Sequence, residues 1–457
     1  MKKLCLLITA ISFLSSAFSQ GPAVNSWLQN NTTTGTYYNA GNSTAIGNNI
    51  LVNCQKVEYS NDYVYVTTQG IPSYTTGPFQ DGNPSQAQSQ DKIFKFPLNP
   101  QPNNGNPTST TAGNIGVFIN GVALFDYRDG VAWNPITNSL CGGPGNTSCP
   151  GGPNANMDWN RDAIPAEQDG FDCSKGHPAM GNYHHHQNPS AFKLDINVLS
   201  TVCNLYDADG LYVIDSTEHS PLLGFAYDGY PIYGAYGFKN TDGSGGISRI
   251  KSSYQLKNIS TRLNGPNVGQ VITTTGPNGG QQALFLGYFR EDYEYIANSY
   301  PESLDDHNGR VCVTPEYPNG TYAYFCTVDE NWNSAYPYAV GPTFYGVYSN
   351  ALVNNINEST TVYTSTVGIN NEDFKNINVD IYPNPSTNLI AIQVGEINKE
   401  YLKISLIDIN GKLISKTKIN PGSTIAHFST EILYNGVYFI KISNGLNIIS
   451  RKVIVNR

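Results

Sequence analysis

The sequence predicts a mainly β protein that contains more than one domain. Its 44 glycines, 27 prolines and 31 tyrosines, with only 13% charged residues, are typical of short strands joined by many turns. At 457 residues the chain exceeds the length of about 250–300 residues at which a single hydrophobic core stops growing. The net charge of −9 argues against nucleic acid or an anionic membrane surface as a partner.

The first segment, residues 1–19, has the pattern of a secretory signal peptide. Lys2 and Lys3 precede an apolar stretch over residues 4–14, and small residues follow at Ala17 and Ser19, where a signal peptidase reads the chain. This stretch is much shorter than the roughly 20 residues of a membrane-spanning helix. We therefore expect export and no transmembrane segment.

Two polar, glycine-rich regions follow: an N-terminal β-rich region at residues 20–115 and a β-rich region with long loops at residues 116–349. Alternating runs such as 63–67 and 92–96 predict short strands. The second region is richer in aromatic residues and is where we expect a functional site. Whether residues 20–115 form a separate domain stays open.

Cysteine usage fits an oxidising compartment. Eight cysteines are present, and Cys5 lies in the predicted signal peptide, so an odd number remains and at least one is unpaired. We expect structural disulfides. Cys141 with Cys149 and Cys312 with Cys326 are natural local pairings, although connectivity is not fixed by sequence, and the lack of a CxxC pair argues against a thiolate zinc site.

The last part of the chain changes character. Residues 350–376 are rich in Asn, Thr and Ser without a sustained period and predict a linker. Over residues 377–457 seven strand-length apolar runs occur at turn-marked intervals, which predicts a small Ig-like antiparallel β-sandwich. Asn410-Gly411 predicts a hairpin turn within it, because a type I′ turn needs positive φ at both central residues.

Three motifs in this tail occur in the order found in a known family: Tyr382-Pro383-Asn384-Pro385-Ser386, then residues 407–412 (IDINGK), then residues 436–442 (GVYFIKI). The tail resembles the type A C-terminal sorting domain of the type IX secretion system of Bacteroidetes. The resemblance implies export through the periplasm to the outer cell surface or the medium. It also implies that the secretion machinery is a partner and that the tail acts as an address.

A histidine-rich stretch, GNYHHHQNP at residues 181–189, is the main candidate site. Side chains alternate along a strand, so His184 and His186 should share one face and His185 the other. His177, across a predicted turn, supplies a third imidazole, and His219 is the best distant fourth.

Carboxylates precede this stretch at Glu167, Asp169 and Asp172. They could serve as ligands or as hydrogen-bond acceptors that orient the imidazoles. The donor types favour copper or zinc. A strand held by ordinary hydrogen bonds, with structural histidines, is the alternative.

The same pattern recurs weakly later in the chain. Asp172, Gly176 and Tyr183 align with Asp305, Gly309 and Tyr322 if six residues are inserted into the second copy. Such a repeat predicts a duplicated strand-turn-strand scaffold. In the second copy Ala323 and Phe325 replace His184 and His186, so the scaffold does not itself require imidazoles.

Four segments together resemble the YHYH domain, a secreted family of unassigned biochemistry. They are residues 170–178 (GFDCSKGHP), 181–186 (GNYHHH), 219–234 (HSPLLGFAYDGYPIYG) and 335–338 (AYPY). His185 stands where the family has its second signature tyrosine. The resemblance spans roughly residues 116–346 and implies no established activity.

The sequence therefore predicts an exported protein that binds a divalent transition metal, copper or zinc, without an assigned reaction. The predicted ligands are His184 and His186, supported by His177 and by His219 or Asp172. One alternative is a cell-surface adhesion or glycan-binding module, with a sugar or small molecule as partner, because exposed aromatics can stack on sugar rings. The other is a metal-dependent oxidase or hydrolase.

Overall fold

The structure is a computed structural model. It describes residues 20–79, 86–143, 145–152, 157–191, 203, 210–274, 280–297, 300–348, 351–364, 379–395, 402–408, 413–420, 423–443 and 448–457. The predicted signal peptide and the predicted Asn410-Gly411 turn lie outside these residues. The chain divides into two compact units, one ending at Thr364 and the other beginning at Ser365.

Helices are short wherever the structure describes them. Among its described residues the first unit has α1 (Pro22–Asn25), α2 (Ala163–Glu167) and the 3-10 helices Gln168–Gly170 and Arg290–Asp292. None of the helices among the described residues combines the length and apolar character that a bilayer crossing requires.

Strands make up most of the regular structure, which confirms the predicted mainly β class. In the first unit they are β1 (Thr34–Asn39), β2 (Asn42–Leu51), β3 (Cys54–Tyr59), β4 (Tyr63–Thr68), β5 (Lys92–Pro97), β6 (Thr108–Ser109), β7 (Asn114–Phe118), β8 (Ala123–Phe125), β9 (Arg128–Asn134), β10 (Ser139–Cys141), β11 (Asn160–Asp162), β12 (His177–Ala179), β13 (Asn182–His185), β14 (Leu222–Ala226), β15 (Pro231–Tyr233), β16 (Tyr236–Phe238), β17 (Ile247–Arg249), β18 (Tyr254–Leu256), β19 (Gln270–Thr273), β20 (Gln281–Leu284), β21 (Tyr293–Tyr295), β22 (Gly309–Cys312), β23 (Thr321–Phe325), β24 (Thr343–Phe344), β25 (Leu352–Val353) and β26 (Thr361–Val362).

The central sheet of this unit has the described strand order β12-β13-β8-β7-β14-β15-β23-β22. At its centre β7 and β14 pair antiparallel, with Phe225 opposite Val117. β7 forms an antiparallel pair with β8, and β14 forms one with β15. Outside these pairs, β13 runs parallel to β8 and β23 runs parallel to β15. The sequence of parallel and antiparallel pairings is therefore the same from either edge.

The weak sequence repeat corresponds to the two edges of this sheet. At one edge the Asp172 carboxylate accepts hydrogen bonds from the Gly176 N–H at 3.1 Å and the Tyr183 hydroxyl at 2.9 Å. At the other edge Asp305 accepts the same two bonds, at 3.1 Å from the corresponding glycine and at 2.9 Å from the Tyr322 hydroxyl. The two halves of the sheet thus share a hairpin closed by an Asp–Gly–Tyr clamp.

A second sheet, in the order β25-β5-β4-β3-β26, packs on the central one. Phe96 on β5 stacks on Phe225 of β14, with ring centroids 5.4 Å apart and planes at 7°, and one hydrophobic core cluster includes both. Residues on both sides of position 115 thus share a core. The boundary predicted there stays a prediction.

The predicted linker needs a correction. Leu352–Val353 and Thr361–Val362 are edge strands of the second sheet, where Leu352 pairs with Phe94 and Thr361 with Tyr59. Two-residue strands are too short to produce an alternating pattern, so these strands could not be recognised from periodicity. Residues 365–376 lie outside the described part.

Disulfides confirm one of the two local pairings. Cys141 is bonded to Cys149, and a second bond joins Cys173 to Cys203. Cys312 and Cys326 carry buried free thiols, so that pairing was wrong. The register places Cys312 opposite Thr321, and five residues of extended strand span about 16 Å, far beyond the reach of a disulfide.

The second unit contains β27 (Val379–Tyr382), β28 (Leu389–Val394), β29 (Leu402–Asp408), β30 (Leu413–Ile419), β31 (Ile425–Ser429), β32 (Gly436–Ser443) and β33 (Ile448–Val455). They form two antiparallel sheets, β27-β28-β31 and β30-β29-β32-β33. Apolar residues of both sheets, including Ile392 and Ile404, form one buried cluster. The predicted small antiparallel sandwich is confirmed.

Candidate metal centre

Three histidines meet near one edge of the central sheet. His177 on β12 lies directly opposite His184 on β13. His186 follows β13 two positions after His184 and so projects to the same face. One ring nitrogen from each of the three lies within 4.8 Å of the other two. The structure therefore brings together three of the predicted ligands.

His185 occupies the opposite face, in the core. Its Nδ1 is 3.0 Å from the Lys175 carbonyl oxygen and its Nε2 is 2.7 Å from the Tyr74 hydroxyl. The ring meets Phe118 edge-on, with centroids 5.7 Å apart. Burial lowers the pKa of His185 to about 3, so this imidazole is a neutral core residue with both nitrogens bonded.

Backbone carbonyl groups fix the tautomers of the other two strand histidines. The Nδ1 of His184 is 2.8 Å from the Asn182 carbonyl oxygen, and the Nδ1 of His186 is 2.7 Å from that of Asp126. A carbonyl oxygen can only accept, so each Nδ1 donates its proton. A neutral imidazole in this tautomer has a lone pair on Nε2. These two Nε2 atoms are 3.0 Å apart.

The environment of this pair is dry and partly aromatic. His184 is 1% exposed and His186 4% exposed, and Phe125 stacks on His184 with ring centroids 3.7 Å apart. Burial first, and then the neighbouring imidazoles, lower the pKa of His184 well below its ordinary value. Two lone pairs face each other where a proton is disfavoured, and this arrangement suits a metal ion.

A carboxylate completes the donor set. Glu167 ends helix α2, and its Oε2 is 3.3 Å from the Nε2 of His177 and 3.5 Å from the Nε2 of His186. Burial would raise the pKa of this carboxyl, but the two imidazoles hold it well below its usual range. The sequence placed Glu167 among three upstream carboxylates without distinguishing it from the others.

Three separations among the four donor atoms are close to those of a tetrahedral centre. Ligand atoms about 2.0–2.1 Å from a zinc ion, at tetrahedral angles, lie about 3.3–3.4 Å from one another. Three of the six separations, at 3.0, 3.3 and 3.5 Å, are close to that value, and the three histidine nitrogens lie within 4.8 Å of one another. Three imidazoles and one carboxylate are a donor set that zinc or copper(II) accepts.

Two other predicted residues lie elsewhere. The Asp172 carboxylate is engaged by its clamp and also accepts the backbone N–H groups of Gly77 and Ser174. His219 precedes β14, in the other half of the sheet, where its ring lies 5.2 Å from that of Tyr233. Neither joins the group formed by the three histidines, and Asp169 is exposed.

The other half of the sheet holds a different cation at the corresponding place. Arg310 lies opposite Ala323 just as His177 lies opposite His184. The Arg310 guanidinium stands 5.3 Å from the ring centroid of Phe325 and donates to three backbone carbonyl oxygens. Here a side chain brings its own positive charge, and no imidazole set accompanies it.

Comparison with known families gives two matches. A family model described as YHYH protein matches residues 93–337, more than half of the chain. This match begins on β5, within the region predicted as N-terminal. A second model, described as a secretion system C-terminal sorting domain, matches residues 380–456. No curated protein matches the chain. The sorting-domain match confirms the export route and the outer cell surface or the medium as the destination.

Proposed function

The chain belongs to the YHYH protein family, and from this premise we propose that it is an exported protein that binds one divalent transition-metal ion through His177, His184 and His186. Glu167 supplies the fourth donor. The sorting domain accounts for delivery through the secretion machinery, so the proposed metal function belongs to the first unit.

One observation carries the proposal: the Nε2 atoms of His184 and His186 lie 3.0 Å apart with both Nδ1 protons committed to backbone carbonyl groups. Facing lone pairs repel, and the cost is not screened in a buried site. A divalent cation between them converts that repulsion into two bonds. A purely structural role would be served better by an imidazole whose Nε2 accepts from a donor, as that of His185 accepts from the Tyr74 hydroxyl on the other face.

Copper and zinc are the ions we propose. Nitrogen donors from imidazole with one carboxylate oxygen fit both ions, and the free cysteines of the described residues, all in other parts of the fold, offer no soft sulfur set. When bound, either ion would act as a Lewis acid toward a ligand that reaches it. The chain's own residues would hold the ion, fix the imidazole tautomers and exclude bulk water.

The test is metal stoichiometry on the purified full chain. After loading with copper or zinc and removal of excess ion, we expect about one ion per chain by elemental analysis. His184→Ala combined with His186→Ala should abolish retention, because two of four ligands are lost. Less than about a tenth of an ion per wild-type chain after loading would refute the proposal, since one four-donor site per chain is required.

A matched control separates ligand loss from general damage. His219→Ala removes an imidazole of the same unit that lies outside the group of three, and it should retain the full metal content. If the His184/His186 double variant binds as much metal as the wild type, the ligand assignment is wrong. If wild type and variant both lack metal and bind glycans equally, the adhesion alternative replaces the proposal.

A further inference from the structure

We infer that Glu167 is the exchangeable ligand of this centre and marks the position at which a small anionic ligand from solvent reaches the metal ion. The inference rests on the proposed function. It adds the position at which the ion becomes accessible to an external ligand and the ligand exchange that makes it so. It turns a closed four-donor site into one that an external molecule can enter.

Exposure singles out Glu167 among the four donors. Its side chain is 24% exposed, whereas those of His177 and His186 are 9% and 3% exposed, and His184 is 1% exposed. Solvent therefore meets the centre at the carboxylate. A ligand arriving from outside would displace this donor before any imidazole.

The imidazoles are fixed in a way that the carboxylate is not. His184 and His186 are held through Nδ1 by backbone carbonyl oxygens, and their rings pack against Phe125. Glu167 reaches the centre from the last residue of a five-residue helix. Moving it requires rotation of one side chain at the rim, whereas moving an imidazole requires breaking core packing.

Arg161 is a cation whose charge interacts with that of Glu167. Burial would lower the pKa of Arg161, but its interactions with Asp129, Tyr288 and Glu167 raise it. Arg161 also forms an ion pair with Asp129. A Glu167 carboxylate that left the metal would therefore still interact with the Arg161 charge.

The exchange is a simple substitution. The bond between the metal and Glu167 Oε2 breaks as a bond to the incoming donor forms, and the oxidation state does not change. The newcomer replaces an anionic oxygen in a site with three neutral imidazoles, so a small anion such as a carboxylate, hydroxide or azide has the right charge and size. An open coordination position of this kind is what catalytic centres have and structural ones lack.

Azide binding to the copper(II)-loaded full chain tests the inference, because azide gives copper(II) a visible charge-transfer band. Glu167→Ala should retain copper through the three imidazoles and bind azide at least about tenfold more tightly than the wild type. That factor follows if Glu167 occupies the position in about nine molecules of ten, since the apparent affinity scales with the open fraction. Glu167→Gln, which keeps the side-chain size, should fall between the two.

Asp169→Ala is the matched control: it removes an exposed carboxylate two residues away and should leave azide affinity as in the wild type. Equal azide affinity in wild type and Glu167→Ala, with copper retained in both, would overturn the inference and leave the proposed function intact. Loss of copper from Glu167→Ala and Glu167→Gln would also overturn it, because the carboxylate would then be indispensable. Failure of the wild type to retain copper would instead remove the proposed function.

Discussion

At the scale of single residues, Asp172 shows how a plausible ligand can be a structural group. Its two carboxylate oxygens accept three backbone N–H groups, those of Gly77, Ser174 and Gly176, and the hydroxyl of Tyr183. The carboxylate is fully buried and its acceptor capacity is used on both oxygens. A residue already committed in this way closes the hairpin that carries the histidines, and we expect it to have no role in the proposed metal binding.

We predict that Asp172→Asn destabilises the protein without changing its metal content. The amide nitrogen cannot accept, so at least one buried donor loses its partner at a cost of about 1–3 kcal/mol. Denaturant unfolding measures the loss, and elemental analysis of loaded protein measures the metal. Asp305→Asn, in the second clamp, is the control and should also destabilise. A variant that stays stable but loses metal would make Asp172 a ligand after all.

At the scale of elements, the position of Glu167 depends on helix α2. Asp162 caps that helix by accepting the Ile164 N–H at 2.9 Å, and its other oxygen accepts the Tyr338 hydroxyl at 2.6 Å. The helix is only five residues long, so its geometry depends on this cap and on packing rather than on its own hydrogen bonds. Asp162 therefore positions Glu167 from the opposite end of the helix.

We predict that Asp162→Ala weakens metal binding although the side chain does not touch the ion. Loss of an N-cap costs about 0.5–2 kcal/mol, and a shifted helix should lower metal affinity by up to about tenfold, which is the whole contribution of a carboxylate bound in about nine molecules of ten. Competition with a chromophoric chelator gives the affinity. Tyr338→Phe removes the other partner of Asp162 but leaves the cap, and it should bind metal nearly normally. Equal affinities in Asp162→Ala and wild type would contradict this role.

The same scale explains what sequence reasoning reached and what it missed. Alternation along β13 placed His184 and His186 together because strand geometry is local and has period two. Glu167 could not be ranked above Asp169, because its approach depends on how α2 packs against distant residues. His219 was a poor choice because nothing in the sequence indicates that it precedes a strand of the other half. The predicted Cys312–Cys326 pairing was wrong because the register of β22 and β23 separates the two residues. Register depends on tertiary packing, which local sequence does not reveal.

At the scale of the whole molecule, the two halves of the central sheet provide an internal comparison. Both contain the clamp, and both have the same pairing pattern. They differ at the strand positions 184 and 186, where the second half has Ala323 and Phe325. These two residues are fully buried and compatible with the same scaffold.

We predict that His184→Ala combined with His186→Phe gives a folded protein that binds no metal. The second half already accommodates alanine and phenylalanine at the equivalent positions. Removing the two imidazoles also removes the repulsion between their facing lone pairs, which should partly offset the changed packing. Near-UV circular dichroism and elemental analysis are the measurements. Replacing both residues with aspartate buries unpaired charge. That variant is the contrasting case and should be unfolded. Retained metal, or failure of the first variant to fold, would contradict the prediction.

Metal should stabilise one unit and not the other. The proposed ligands all lie before Thr364, and the second unit has its own core. At a free zinc concentration of about 100 times the dissociation constant, linkage adds about 2.7 kcal/mol to the unit that binds. Calorimetry of the full chain should therefore show one transition rising with zinc and returning after chelation, while the other stays in place. A zinc-dependent shift of both transitions would argue against a site confined to the first unit.

The hairpin scaffold with its Asp–Gly–Tyr clamp occurs twice in this chain, once with the histidines of the candidate metal centre and once without them. The clamp built by Asp305 and Tyr322 closes its hairpin with Ala323 and Phe325 in place of the two imidazoles, so the equivalent clamp at Asp172 does not constrain what the strand between Tyr183 and Gln187 carries. Substitutions on that strand can thus change the side chains it presents while the hairpin that carries them persists.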